Sequence, residues 1–119
     1  MTTEKGTYFE SMAAKHLQIK GLYELDRNFR HRRGEIDLIM RHMETLVFVE
    51  VRFRKQSGYG SAEESITYRK QQSIISTANF YLTKKKLWDM PCRFDVVTIK
   101  PSIQPLKEYD INWITSAFN

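Results

Sequence analysis

Two neighbouring segments decide the fold, Gly34-Glu35-Ile36-Asp37-Leu38-Ile39 and Leu46-Val47-Phe48-Val49-Glu50-Val51-Arg52. Both are rich in Val, Ile, Leu and Phe, and polar residues recur in them with a period of two, as in half-buried strands. The connection over residues 41 to 45 is short enough to close a hairpin. We therefore expect two adjacent antiparallel strands.

In each of these strands an acidic residue interrupts the apolar pattern. Asp37 is predicted to share one face of its strand with Glu35 and Ile39, and Glu50 is predicted to share a face with Arg52. The opposite face of the first strand should carry Ile36, Leu38 and Met40. Two acids that face the same way on adjacent strands would meet at one edge of the sheet.

Outside this hairpin the pattern predicts two helices and three more strands. Apolar residues at helical spacing predict a first helix, with Gly21 as its C-terminal cap, and a short strand follows over residues 23 to 29. The capping-box sequence Ser61-Ala62-Glu63-Glu64 predicts a second helix that runs to about Thr83, with Ile66, Ile74, Ile75, Ala78, Tyr81 and Leu82 facing inward. Two final strands are predicted over residues 93 to 99 and 111 to 115. The predicted fold class is α/β, a mixed β-sheet of about five strands flanked by helices.

Length and composition limit the class of protein. A chain of 119 residues with 41% apolar residues fits one domain over residues 1–119 with one core. Its apolar runs are only a few residues long, so we expect no membrane span. The first residues lack the pattern of a secretory signal, which leads us to expect a cytoplasmic protein. The lone Cys92 excludes an internal disulfide and a zinc site built from paired cysteines.

Positive charge is concentrated around the hairpin. The net charge is +5, and residues 27 to 55 hold eight Lys or Arg against four acids, a local balance of +4. Such a cluster attracts a phosphate backbone, whereas bare carboxylates repel it unless a divalent cation lies between them. A modest positive balance is equally typical of ordinary solvated surface.

Asp37, Glu50 and Arg52 together suggest phosphodiester chemistry. Two carboxylates with waters suit Mg²⁺, and a neighbouring cation suits the charge that develops on phosphate. Cross-strand ion pairs on an exposed face explain the same alternation, and from spacing alone they are the commoner situation.

The two segments closely resemble the signature of the YraN family of bacterial proteins. The resemblance extends to Gly6 and Glu10, Arg27-Asn28-Phe29-Arg30, Arg93-Phe94-Asp95-Val96-Val97 and Ala117-Phe118. That family is similar to the restriction-endonuclease-like superfamily, which includes Holliday-junction resolvases. The resemblance implies Asp37 and Glu50 as ligands of Mg²⁺ or Mn²⁺, the backbone carbonyl of Val51 as a further ligand, and Glu10 as the acid that completes the site.

One residue departs from the superfamily pattern, because Arg52 stands where a lysine is usual. Arginine stays protonated, so Arg52 can stabilise a transition state but cannot serve as a general base. Either metal-activated water suffices, or Lys70 reaches into the site, or catalysis is weak or lost.

Two of the acids also have simpler explanations. Glu10 stands three residues after Thr7, which is the spacing of an N-terminal capping box. For Glu35 we expect an ion pair with Arg32, Arg33 or Arg54 rather than metal contact.

The leading hypothesis is a Mg²⁺-dependent nuclease acting on DNA, with a preference for branched or other unusual structures. Cutting both strands would favour a homodimer, as the fold implies. The alternatives are a nucleic-acid-binding module that has lost turnover, and an adaptor that recruits another protein. Tyr59 is a candidate for stacking on an unpaired base. The residues predicted to contact phosphates are Arg30, Arg32, Arg33, Arg54, Lys55 and Lys70.

Overall fold

The computed structural model of the protein describes residues 4–55 and 66–119, and its elements follow the predicted order. Their bounds are α1 Glu4–Ile19, β1 Tyr23–His31, β2 Gly34–His42, β3 Thr45–Phe53, α2 Tyr68–Lys85, β4 Cys92–Pro101 and β5 Tyr109–Phe118. The strands β1, β4 and β5 are each longer than the sequence predicted. Tyr59 and the predicted capping box over residues 61–64 lie outside the described residues.

The five strands form one sheet in the order β1-β2-β3-β4-β5. Neighbouring strands are antiparallel except β3 and β4, which are parallel. Parallel neighbours need a crossover connection, and α2 lies between these two strands in the chain. The predicted α/β fold with a mixed five-stranded sheet and flanking helices is therefore confirmed.

Each helix packs in its own apolar cluster against the sheet. The residues of α1 cluster with Leu38 and Met40 of β2, whereas those of α2 cluster with Ile36 and Ile39. The prediction that Ile36, Leu38 and Met40 share a face is therefore wrong. The strict alternation is interrupted between Ile36 and Leu38, where the paired ladder between β2 and β3 reaches its last pair.

The C-terminal end of α1 is the cap that the sequence predicts. Gly21 has a φ of +100°, and the N–H of Leu22 donates to the carbonyl of Leu17 at 3.0 Å. This left-handed residue after the helix favours glycine because it has no Cβ. In residues 4–55 and 66–119, no helix combines the length and apolar character needed to cross a membrane.

The second helix begins later than the sequence predicted. Thr67 has an extended backbone, and its side chain accepts a hydrogen bond from the N–H of Lys70, so it is the N-cap of a helix that begins at Tyr68. The prediction of an unbroken helix from residue 61 to about Thr83 is therefore wrong. The predicted inward residues Ile74, Ala78 and Tyr81 are buried as expected, whereas Ile66 is buried ahead of the helix.

A close approach of α2 to the start of β2 requires glycine at position 34. A Cβ added to Gly34 would collide with Oγ1 of Thr77, and it would also crowd Ser73. The absent side chain lets α2 lie directly on the strand that carries Asp37.

A fully buried carboxylate joins β4 to β5. Asp95 has no exposed surface, and both of its oxygens lie 3.1 Å from Nε of Arg93. It also accepts from Nε1 of Trp113 at 2.9 Å and from the N–H of Ser116 at 3.0 Å. These donors satisfy the buried charge and connect the two strands.

Candidate active site

The candidate site lies where β2 and β3 separate. The last residue pair of their antiparallel ladder is Leu38 with Val49. Just beyond it, the N–H of Val51 donates to Oδ2 of Asp37 at 2.9 Å. A side chain thus supplies the acceptor that a backbone carbonyl supplies elsewhere in the ladder. This bond fixes the carboxyl of Asp37 at the fork between the two strands.

The carboxyl groups of Asp37 and Glu50 meet at this fork. Both residues are buried, at 9% and 6% exposure, and their carboxyls hydrogen-bond to each other. Burial, reinforced by the charge of Asp37, raises the pKa of Glu50 to about 8, although Lys70 and Arg52 oppose this. Burial also raises the pKa of Asp37, against the hydrogen bond from Val51. The pair therefore favours a shared proton or a cation in its place.

A third acid, Glu10 of α1, lies in the same cavity and is held by an amide. It is 4% exposed, and both of its carboxyl oxygens accept from Nδ2 of Asn28 at 3.0 Å. Burial raises its pKa, the amide of Asn28 opposes this, and the charge of Asp37 adds to it. The capping-box explanation is wrong, because α1 already begins at Glu4 and Thr7 lies inside the helix.

Positive side chains surround the acids. Nη1 of Arg52 lies 3.7 Å from Oε2 of Glu50. Lys70 of α2 is close enough to lower the pKa of Glu50 electrostatically. Lys5 of α1 has its Nζ 4.9 Å from the ring centroid of Phe53. The buried acids thus lie among positively charged side chains, as the sequence suggested.

These groups share one cavity of about 400 Å³. The volume is in the range of ordinary ligand sites, which extends from about 300 to 1,000 Å³. Its lining comprises Lys5, Gly6, Phe9, Glu10, Glu35, Asp37, Glu50, Val51, Arg52, Phe53, Arg54 and Lys70. Acids, cations and two aromatic rings are therefore all within reach of one bound molecule.

Comparison with known proteins identifies the family. The model of the "Uncharacterised protein family UPF0102" matches residues 9–99, most of the chain. The chain belongs to the UPF0102 family. This is the YraN family whose signature the sequence resembles, so that expectation is confirmed. The matched UPF0102 segment contains Glu10, Asp37, Glu50 and Arg52.

Individual UPF0102 relatives match over nearly their whole length. A UPF0102 protein of Hahella chejuensis is 50% identical over 115 residues, which cover 96% of this chain and 89% of the relative. One of Saccharophagus degradans is 47% identical over 116 residues, covering 97% and 92%. One of Pseudomonas savastanoi pv. phaseolicola is 42% identical over 117 residues, covering 98% and 94%.

The fold brings most of the predicted site residues of this UPF0102 protein to one cavity. The residues that meet there are Glu10, Asp37, Glu50, Val51, Arg52, Arg54 and Lys70. Arg32 and Arg33 lie exposed in the turn between β1 and β2, and Lys55 is exposed just after β3. All three are at the end of the sheet that carries the cavity, because β2 starts and β3 ends there.

Glu35 pairs with a different arginine from those expected. Its Oε2 lies 2.9 Å from Nε of Arg30, which is half exposed. We expected Arg32, Arg33 or Arg54, but Arg30 is its register partner across β1 and β2, so the two side chains lie side by side.

Two residues of the UPF0102 site were not found from the sequence. Asn28 holds Glu10, and its φ of +53° is a conformation that Asn tolerates better than most residues. An Asn within a segment predicted as a strand was the sequence signal that could have indicated this left-handed position. Lys5 gave none, since a lysine near a helix start is ordinary surface.

The acid pair has the donor chemistry of a hard-cation site. Among residues 4–55 and 66–119, no group of three His, Cys, Asp or Glu side chains is arranged to hold a metal ion. Two carboxylates with room for waters are nevertheless what Mg²⁺ accepts, since it keeps several of its waters. Asp37 and Glu50 fit such an ion on this ground, with Glu10 bound to Asn28 beside them. The carbonyl of Val51 as a further ligand stays a prediction.

Proposed function

We propose that this UPF0102 protein is a metal-dependent nuclease that hydrolyses phosphodiester bonds in DNA, with a preference for branched or other non-canonical structures. The observation that carries the proposal is the contact between the buried carboxyls of Asp37 and Glu50 in a cavity that Arg52 and Lys70 also line. Burying two like charges together destabilises a fold, so such pairs are concentrated at functional sites. The surrounding cations match a phosphate.

Each residue has a distinct role in this proposal. Asp37 and Glu50 hold Mg²⁺ or Mn²⁺, which supplies water activation and charge neutralisation when bound. The N–H of Val51 keeps the carboxyl of Asp37 oriented. Arg52 stabilises the negative charge that develops on the phosphate, and it stays protonated throughout. Lys70 adds a second positive charge beside the acids.

DNA is held by its backbone in this proposal. The exposed arginines of the β1–β2 turn, Arg32 and Arg33, together with Arg54 and Lys55, are on the cavity's end of the sheet. Contacts of this kind position a duplex or strand without reading its sequence, and they weaken as salt rises.

A second candidate function is nucleic-acid binding without turnover, and Arg52 favours it. The guanidinium of Arg52, 3.7 Å from Glu50, supplies a positive charge to the acids, as a bound metal ion would. Because Arg52 cannot give up its proton, a site that relies on it would bind phosphate but activate water poorly.

Cleavage assays separate the two candidates. Labelled four-way junction, duplex and single-stranded DNA are incubated with the protein in Mg²⁺, in Mn²⁺ or in EDTA. The variants are Asp37→Asn and Glu50→Gln, which replace one ionisable carboxyl each by an amide of nearly the same volume. The matched control is Glu44→Gln, because the Glu44 side chain is 87% exposed in the β2–β3 turn.

We expect cleavage that needs the metal, is lost in both site variants and is retained in Glu44→Gln. Cleavage that persists in Asp37→Asn and Glu50→Gln would refute the proposed site. Salt-sensitive DNA binding without cleavage in any metal would favour the second candidate.

A further inference from the structure

A row of aromatic rings leads from the wall of the acid-pair cavity to the protein surface. Phe9 of α1 and Phe53 of β3 both line the cavity, and their rings are stacked with centroids 4.2 Å apart. Tyr109 of β5 packs edge-on against Phe9 at 5.5 Å and against Phe53 at 6.2 Å. Tyr8 continues the row, 5.2 Å from Phe9 and 6.4 Å from Tyr109. We call these four residues the aromatic row.

The outer end of the aromatic row is open to solvent. Tyr8 is 50% exposed, whereas Tyr81, which packs between α2 and the sheet, is 4% exposed. Tyr109 and Phe53 are partly exposed. An exposed ring supported by other rings offers a rigid flat surface at little entropic cost, since Tyr has few rotatable bonds. Packing alone does not require Tyr8 to be so exposed.

A cation accompanies the aromatic row. Nζ of Lys5 lies 4.9 Å from the centroid of Phe53, and Lys5 lines the cavity together with Arg52 and Arg54. Rings interleaved with cations match a nucleic acid strand, whose bases stack and whose phosphates pair with positive charge. An apolar peptide would match the rings but not these cations.

Base pairing decides which nucleic acid can use the row. In a duplex the faces of the bases are stacked on one another, so a protein ring can contact a base face only where the base has left the stack. A row of rings that leads to the proposed cleavage site therefore selects a strand whose bases are unpaired beside the phosphate.

We propose that the aromatic row, with Tyr8 at its exposed end, stacks on unpaired bases, and that the substrate is a DNA strand or segment whose bases are unpaired next to the cavity. This inference rests on the proposed nuclease function for its substrate. Its binding component is measured without cleavage, so the two can fail separately.

The test measures DNA binding by the full chain in EDTA at low salt, with fluorescence anisotropy as the readout. The probes are a labelled oligothymidylate strand, an abasic strand of the same length and a blunt duplex. The variants are Tyr8→Ala and Tyr8→Phe, with Tyr23→Ala as the control. Tyr23 is 71% exposed and lies at the start of β1, at the end of the sheet away from the cavity.

We expect Tyr8→Ala to weaken binding of the oligothymidylate by between about 5-fold and about 100-fold, the usual effect of removing one stacking ring. Tyr8→Phe should bind like the wild type because it keeps the ring, and Tyr23→Ala should also be unchanged. On the abasic strand all four proteins should bind alike. Circular dichroism of each variant checks that the fold is retained.

Two results would overturn the inference. One is equal binding of the base-containing and abasic strands by the wild type, and the other is a loss in Tyr8→Ala that is the same on both strands. If either occurs while Mg²⁺-dependent cleavage persists, the nuclease function stands without this substrate class. If stacking is found and no DNA is cleaved, the nuclease function fails and the base-binding surface remains.

Discussion

Neutralising Glu50 is expected to stabilise the metal-free protein at alkaline pH. Burial beside Asp37 raises the pKa of Glu50 from 4.5 to about 8, so the folded chain prefers the protonated acid. The stability that comes from this protonation is fully present below the unfolded pKa. It is lost as the pH rises through about 8, because the unfolded chain releases its proton first. Glu50→Gln keeps a neutral side chain throughout and escapes this loss.

The size of the effect follows from proton linkage between the two pKa values. Between about pH 5.5 and about pH 8.5 the Glu50 carboxyl ionises fully in the unfolded chain but only late in the folded one. Integrating the difference gives about 3 kcal/mol, with 1.36 kcal/mol for each pH unit of unequal proton binding. The free energy of unfolding of Glu50→Gln, relative to the wild type, should therefore rise by about 3 kcal/mol over this range.

Urea denaturation in EDTA at several pH values measures this difference. Glu44→Gln is the control, because its side chain is 87% exposed and its difference from wild type should stay constant. A constant difference for Glu50→Gln as well would refute the reasoning, since it would show that Glu50 titrates as an ordinary exposed acid. Adding Mg²⁺ at the upper pH should restore stability to the wild type but not to Glu50→Gln, because a bound cation stabilises only the state that holds it.

Three further predictions test other contacts. Gly34→Ala should lower the free energy of unfolding by about 1–3 kcal/mol, because the added methyl group overpacks against Thr77. Adding Thr77→Ala to the same chain should recover part of the lost stability. Urea denaturation measures both effects. Asn28→Gly keeps the left-handed backbone but removes both bonds to Glu10, so it should cost about 1–3 kcal/mol in the same assay. Arg52→Lys should preserve or raise the rate of DNA cleavage, because lysine keeps the charge and can also transfer a proton; a cleavage rate reduced about tenfold would show that the guanidinium geometry is required.

The order of the elements could be predicted because it depends on local patterns. Periods of two and of 3.6 residues, with Gly21 as a cap, were sufficient for the helices and strands. The meeting of Asp37 with Glu50 also followed, since it needs only two adjacent strands. Their hairpin makes this contact local in sequence, and local contacts are those that a pattern can show.

The errors concern features that depend on tertiary contacts. Ile36 changes face because the ladder between β2 and β3 ends next to it, which no alternation pattern reveals. The start of α2 was placed too early because Ser61-Ala62-Glu63-Glu64 satisfies a capping pattern, whereas Thr67 is the observed N-cap. Lys5 reaches the cavity only because α1 packs across the sheet.

The carboxylate of Asp95 also restricts how the last strand can pair. β5 is an edge strand, and edge strands are prone to slip or to recruit another chain. A shift by one residue would turn the indole of Trp113 to the opposite face, so the buried Asp95 would lose a hydrogen-bond donor that the native register supplies. Misaligned pairing of β5 with β4 is thereby penalised relative to the native register.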